Sequence, residues 1–155
     1  MSGAARFSLQ SIGTVRSPQN QMSQGGWARI DSVIELLPEF VPGLKRLEDF
    51  SHVIVTFALD RAQFDPAQHL HRRPRGQADA PELGVFAQRT KYRPNPIGIT
   101  TVELLGIDGG RVRVRGLDAL DGTPVLDLKP YIPMFDRVES PRVPAWVDLI
   151  MDGYF

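Results

Sequence analysis

Ile99-Thr-Thr-Val-Glu-Leu-Leu-Gly-Ile-Asp108-Gly109-Gly-Arg111-Val-Arg-Val-Arg-Gly116 decides the fold. Two strand-like segments flank Asp108-Gly109, and that dipeptide is a strong hairpin signal because Gly takes a positive φ without steric cost. In the second arm Val112 and Val114 point one way and Arg111, Arg113 and Arg115 the other. A strand with one apolar and one charged face lays the apolar face on a core and turns the charged face to solvent. The segment is therefore antiparallel β.

The reading extends toward the N-terminus. His52–Leu59 (HVIVTFAL) is apolar on both faces, which predicts a central strand. Leu83–Ala87 predicts a short strand, and Phe7–Val15 another that stops at Ser17-Pro18. Trp27–Leu37 carries two periods. Trp27, Ile30, Val33, Ile34 and Leu37 fall at helical spacing, while Ala28, Ile30, Ser32, Ile34 and Leu36 alternate. Its β-branched content favours strand. Leu44, Leu47 and Phe50 after Pro42-Gly43 predict a short helix from Gly43 to Asp49. Asp60–Glu82 holds Pro66, Pro74, Gly76 and Pro81 with His69 and His71, and a loop that long in a compact domain is functional or disordered.

Toward the C-terminus, Asp118–Pro133 places two turns around a short apolar segment. Pro144 suits the first turn of a closing helix that runs to Tyr154, with Trp146, Leu149 and Ile150 on one face. The sum is an all-β, β-rich chain. It predicts a small closed β-barrel of about six to seven strands, one or two short helices and long ordered loops.

One domain, 1–155, accommodates 155 residues. A chain of this size removes about 70% of its unfolded surface from water, so neither a disulfide nor a metal is required. With 42% hydrophobic and 23% charged residues it is neither disordered nor collagen-like. No apolar run approaches the roughly 18 residues of a membrane span, so no membrane partner is expected. Met1-Ser-Gly-Ala-Ala-Arg6 lacks the apolar core of a signal peptide, and a cytoplasmic location is the expectation. Without cysteine there is no thiolate nucleophile. His69 and His71 alternate in a loop without a third ligand, so no metal is expected.

Lys+Arg and Asp+Glu are both 18, and a net charge of zero argues against bulk charge holding a nucleic acid. Lysine occurs only at 45, 91 and 129, so 15 of the basic residues are Arg. They cluster at Arg72/Arg73/Arg75, Arg89/Arg93 and Arg111/Arg113/Arg115. Arg presents a planar fork to phosphate or carboxylate. A GC-rich genome explains the same count, and a solvated outer face explains the hairpin cluster.

No dinucleotide-binding glycine motif, Walker lysine loop or nucleophile elbow is present. Two loops stand out instead. In Arg89-Thr-Lys-Tyr-Arg93-Pro94-Asn95-Pro96-Ile97-Gly98 two prolines freeze the backbone, and Arg89, Lys91 and Arg93 alternate onto one side. In Asp118–Tyr131 the turn Asp121-Gly122-Thr123-Pro124 offers a carboxylate and amides, and Asp127 and Lys129 share a face. Asp121 as a mere turn cap and Asp127–Lys129 as a rim ion pair are the plainer readings. Two rigid charged loops on one small scaffold favour a ligand pocket.

Ile12–Pro18 (IGTVRSP), Gly43–His52 (GLKRLEDFSH), Gly84–Arg89 (GVFAQR), Arg93–Gly98 (RPNPIG) and Asp121–Tyr131 (DGTPVLDLKPY) together resemble the TrmO/TsaA-like family, in order, over residues 8 to 136. The resemblance implies a small β-barrel that binds S-adenosylmethionine as a homodimer, with the cofactor near the subunit interface. It implies N6-methylation of the threonylcarbamoyl-adenosine beside the tRNA anticodon. Residue by residue, it assigns cofactor contacts to Asp60 and Arg61 at the end of the central strand, to Arg89, to Asp121, Gly122, Thr123 and Pro124, and to Ile99 and Thr101. The family's Pro-Arg-Gln is here Met22-Ser-Gln24-Gly25, so only Gln24 is carried over. Longer members carry a C-terminal extension that helps hold tRNA. The expectation here is a domain without it, whose segment 137–155 packs on the barrel or the dimer.

Methyl transfer from a sulfonium needs in-line approach, so positioning supplies most of the catalysis. The adenine amine is a weak nucleophile, and an acceptor for its N–H would help. Asn95, Tyr131 and Asp127 are the candidates. The tRNA anticodon arm would be held by Arg72, Arg73, Arg75, Arg93, Arg111, Arg113 and Arg115. Two other classes compete: a nonenzymatic S-adenosylmethionine- or nucleotide-binding regulatory module, and a barrel whose frozen loops bind a protein.

Overall fold

Residues 3–21, 25–74 and 78–155 are described by the structure, a computed structural model. In chain order the strands are β1 (Gly13–Arg16), β2 (Asp31–Leu36), β3 (His52–Ala58), β4 (His71–Arg72), β5 (Leu83–Gly84), β6 (Ile97–Asp108), β7 (Arg111–Arg115) and β8 (Pro124–Pro130). Six of them close a barrel in the order β1-β2-β7-β6-β3-β8, and β4 and β5 form a separate two-stranded ladder. Every pairing is antiparallel.

Alternation fixes which side chains enter the barrel. Val15, Ile34, Val53, Val55, Val112, Val114 and Val125 are all fully buried, and Phe57 and Val102 nearly so. Short β-branched residues suit the narrow interior of a six-stranded barrel and the pleated backbone. The Arg face of β7 points out, as its alternation requires. β3 lies between β6 and β8, and both its faces are covered, with Val53 and Val55 fully buried inside the barrel and Ile54 on the other face only 9% exposed. Gly98 faces Phe57 across the β3–β6 pair, and a Cβ there would sit 2.5 Å from the ring, so only glycine admits that phenylalanine.

Several expected elements differ. β1 begins only at Gly13, because residues 7–10 are exposed and have no strand beside them. Residues 27–37 are mostly strand, as their β-branched content favours, and not one element throughout. Trp27–Arg29 is a 3-10 turn that buries Trp27, and β2 starts at Asp31. The helix expected over 43–49 is instead two 3-10 segments, Pro38–Leu44 and Leu47–Asp49, parted where Arg46 takes φ 73. Pro42 inside the first lacks the amide that an α-turn needs. β5 stops at Gly84, and Val85–Ala87 is another 3-10 turn.

Three short helices are present among the described residues: α1 (Pro66–His69), α2 (Pro133–Asp136) and α3 (Trp146–Met151). The closing helix is shorter than the 144–154 expected, and Trp146 is half-buried rather than core. Beyond α3 the chain meets the barrel. Gly26 N donates to Gly153 O at 3.1 Å and Trp27 N to Tyr154 O at 3.2 Å.

Candidate functional site

The end of β3 collects most of the residues assigned above. Leu59 N donates to Pro96 O at 2.8 Å, which sets the Asn95-Pro96 loop beside Asp60 and Arg61. Arg61 then reaches across to the other rigid loop. Its Nη2 donates to Asp121 O at 2.6 Å and its Nη1 to Asn20 O at 3.3 Å. The Asp121 carboxylate accepts Ser17 N at 3.0 Å, and Gly122 N donates to Val15 O at 2.8 Å. Gly122 holds φ 84, a left-handed conformation that only glycine takes cheaply. The Asp121 carboxylate thus ties its turn to Ser17, 104 residues away, rather than capping its own turn. Thr123 is buried, and Pro124 opens β8 opposite Thr14.

A second cluster lies at the start of β6. Arg89 is exposed, and its Nη2 donates to Ile99 O at 2.6 Å. Ile99 and Thr101 face outward with Ile97, whereas Thr100 between them is buried. The Thr100 and Tyr154 hydroxyls both donate to the Asp118 carboxylate. Burial and that carboxylate push the Tyr154 phenol far above its ordinary value, with the Arg89 charge acting weakly against them. Asp118 and Tyr154 escaped the sequence reading. The Tyr lies 36 residues from its partner, and no local motif joins them.

The three candidate catalytic groups do not converge within one chain. Asn95 lines a shallow pocket of about 250 Å³ with Leu9, Ala58, Pro96, Ile97 and Leu126, next to both clusters. Asp127 is paired with Lys129 Nζ at 2.7 Å and accepts Leu128 N, so here the plainer reading of a rim ion pair describes the geometry. Lys129 titrates above its ordinary value because of that bond. Tyr131 N donates to His52 O at the far end of β3, roughly 20 Å from Ala58 at about 3.3 Å per strand residue. A larger groove of about 390 Å³ lies between the 3-10 segments and β8, and Asp127 is its only residue in common with the candidates.

The basic residues divide into two sorts. On the barrel wall Arg111 pairs with Glu35 and Arg115 with Asp31, while Arg113 lies over Gly106. On the loops the acceptors are neutral. Arg72 Nη2 donates to Thr90 Oγ1 at 3.1 Å, Arg73 Nη1 to Ala80 O at 2.7 Å, and half-buried Arg93 to the carbonyls of Val85 and Gln88. Gln24 and Arg75 lie outside the described residues. No group of three His, Asp or Glu placed to hold a metal occurs among the described residues. No helix there is long and apolar enough to cross a membrane.

This is a small closed barrel with rigid, Arg-bearing loops gathered at one end of its central strand. The chain belongs to the TrmO family: residues 14–137 match the tRNA-methyltransferase O N-terminal domain. It is 45% identical over 144 residues to a probable S-adenosyl-L-methionine-binding protein of Archaeoglobus fulgidus, covering 90% of this chain and 38% of that one. It is 38% identical over 132 residues to the tRNA (adenine(37)-N6)-methyltransferase of Mus musculus, covering 83% of this chain and 29% of that one. The crystal structure of TrmO from Pseudomonas aeruginosa superposes with a TM-score of 0.75 at 35% identity, over 92% of this chain and 62% of that one. The chain therefore spans less than two thirds of the length of each of these relatives.

Proposed function

We propose that the chain binds S-adenosylmethionine at the loop end of β3 and methylates N6 of the threonylcarbamoyl-adenosine beside a tRNA anticodon, as a cytoplasmic homodimer. The observation that carries the reading is the Arg61 bridge from the end of β3 to the Asp121–Pro124 turn. It joins two segments that the family resemblance assigns to the same cofactor. The residues present suit the group. Arg89 offers a guanidinium fork for a carboxylate, and exposed Ile97, Ile99 and Phe86 offer apolar surface for an adenine. When bound, the cofactor supplies an electrophilic methyl on sulfur.

The chain's part is to hold and orient. Arg61 and Gly122 fix the turn, Arg89 is itself fixed on Ile99 O, and Asn95, in the pocket beside the end of β3, is the candidate to accept an amine N–H. Self-association is supported by apolar surface left open on the C-terminal side: Met134 is 87% exposed, Phe135 78% and Phe155 61%.

A second reading, a nonenzymatic S-adenosylmethionine-binding module, is favoured by one observation. Asn95, Asp127 and Tyr131 lie apart, so no acid–base group is built in one chain. Two measurements decide between the readings. Calorimetry with S-adenosylmethionine returns micromolar binding under both and none under a protein-docking barrel. Nucleoside mass spectrometry of tRNA from a strain lacking the gene shows loss of the N6-methyl nucleoside under the first alone.

A further inference from the structure

The net charge of zero conceals a polarised chain. Between Asp60 and Arg93 there are seven Lys or Arg against four Asp or Glu, so the remainder is acidic in balance. The two sorts of arginine described above differ in what they leave for a ligand. On β7 and its neighbours, the Arg115 Nε and Nη2 atoms take both Asp31 oxygens, at 2.6 and 3.0 Å. Glu35 is shared by Arg111 and Arg16. These bonds hold the two carboxylates below their ordinary range, and the wall is compensated internally.

The loops are arranged differently. The Arg72 guanidinium lies 5.2 Å from the Tyr92 ring centroid, and Lys91 Nζ lies 5.0 Å from the same centroid. Among the described residues neither has a carboxylate within ion-pair distance, and neither does Arg73. Ring faces, hydroxyls and carbonyls orient a cation without cancelling its charge. Tyr92 is itself anchored. His69 stacks on it at 4.4 Å with an interplanar angle of 6°, and His69 Nδ1 accepts Asp65 N at 2.8 Å. Phe64 lies tilted against His69, their ring centroids 6.0 Å apart. Two acids of this segment are engaged locally: Asp65 caps α1 and bonds Gln68, and Glu82 pairs with His71.

We infer that Arg72, Arg73 and Lys91, oriented by Tyr92 and by neutral acceptors, form the surface that grips RNA phosphates, and that the ion-paired Arg111 and Arg115 of β7 do not. This rests on the RNA-directed reading above and specifies where the RNA is held. Ordered, uncompensated cations meet a polyanion with little further loss of side-chain entropy. Lys91 is two residues from Arg89, so the grip adjoins the proposed cofactor site. Tyr92 is a positioning residue.

The test is the salt dependence of binding of a synthetic anticodon stem-loop RNA, read by anisotropy, with S-adenosylmethionine calorimetry on every variant. Each single-strand phosphate contact contributes roughly 0.7 to the slope of log affinity against log salt, so removing three flattens it by about 2. The Arg72→Ala/Arg73→Ala/Lys91→Ala variant is expected to show that flattening with cofactor affinity unchanged. Arg111→Ala/Arg115→Ala is expected to keep the wild-type slope. Tyr92→Phe, which keeps the ring, is expected to bind as wild type, and Tyr92→Leu to bind several-fold more weakly. If the triple loop variant does not fold, Lys91→Gln alone is expected to flatten the slope by roughly 0.7. Flattening in the β7 variant instead of the loop variants overturns the inference and leaves the proposed function standing. A wild-type chain that binds S-adenosylmethionine and polyglutamate but no RNA overturns both.

Discussion

Arg61 Nη2 donates to the main-chain oxygen of Asp121 at 2.6 Å, a bond that spans 60 residues of sequence. Through it the end of the central strand holds the turn that enters β8. Two residues adjacent only in space thus act as one bracket, and the turn is closed further by its own amides, which donate to the carbonyls of Gln19, Val15 and Leu120.

Arg61→Ala should therefore loosen the turn. Bonds from charged donors contribute about 1.5–3 kcal/mol when buried, and this one is exposed, so about 1 kcal/mol of stability is expected to be lost. For a domain of this size that lowers the melting temperature by roughly 3 °C. S-adenosylmethionine affinity is expected to fall about tenfold, which corresponds to about 1.4 kcal/mol. Calorimetry that returns wild-type affinity would remove the bracket from the cofactor site.

Gly122→Ala tests the same bracket from the turn. At φ 84 an L-residue costs roughly 1–2 kcal/mol, and the added Cβ would stand 3.5 Å from Arg61 Nη2. Chemical denaturation is expected to show a loss of that size. Because the two residues share one arrangement, Arg61→Ala/Gly122→Ala should lose less than the sum of the single variants. Simple additivity would mean that the residues act separately.

Arg89→Ala separates ligand binding from folding. Its side chain is exposed and bonds one carbonyl, so melting should change little, within about 0.5 kcal/mol. Loss of its charge opposite a ligand carboxylate is expected to weaken S-adenosylmethionine binding at least tenfold, by about 2 kcal/mol. Arg89→Lys should recover only part of this, since an ammonium cannot reproduce the planar fork. A variant that binds as wild type places the cofactor elsewhere.

The fold was largely readable from alternation. The Asp108-Gly109 hairpin, the doubly apolar β3 and the outward Arg face of β7 all follow from residue order. The 3-10 segments around Pro42 and Trp27 were not readable, because short turns share spacings with both helix and strand. In the site, Arg61, Arg89 and the Asp121–Pro124 turn were reached through motif resemblance. The Asp118–Tyr154 bond and the His69–Tyr92 stack were out of reach. Each joins residues far apart in sequence, and nothing local in either one signals its partner.

Tyr154 gives a prediction in pH. Its phenol is raised in the folded chain, first by burial and then by Asp118. The neutral form is the one the fold favours, so this contribution is complete below the unfolded phenol value of about 10 and is lost as pH rises toward the folded value. Ultraviolet titration should show tyrosinate absorbance that appears late and is absent from Tyr154→Phe. Identical curves for the two proteins would mean that the phenol is solvated and that the C-terminal segment does not close on Asp118.

The most direct measurement is reconstitution. The purified chain is incubated with methyl-labelled S-adenosylmethionine and tRNA that carries threonylcarbamoyl-adenosine, and the tRNA is digested to nucleosides for mass spectrometry. One labelled methyl is expected on N6 of that nucleoside, none on tRNA lacking the threonylcarbamoyl group, and at least tenfold less product with Arg89→Ala. Tight cofactor binding with no label transferred to any tRNA would contradict the methyltransferase reading and leave a cofactor-binding module in its place.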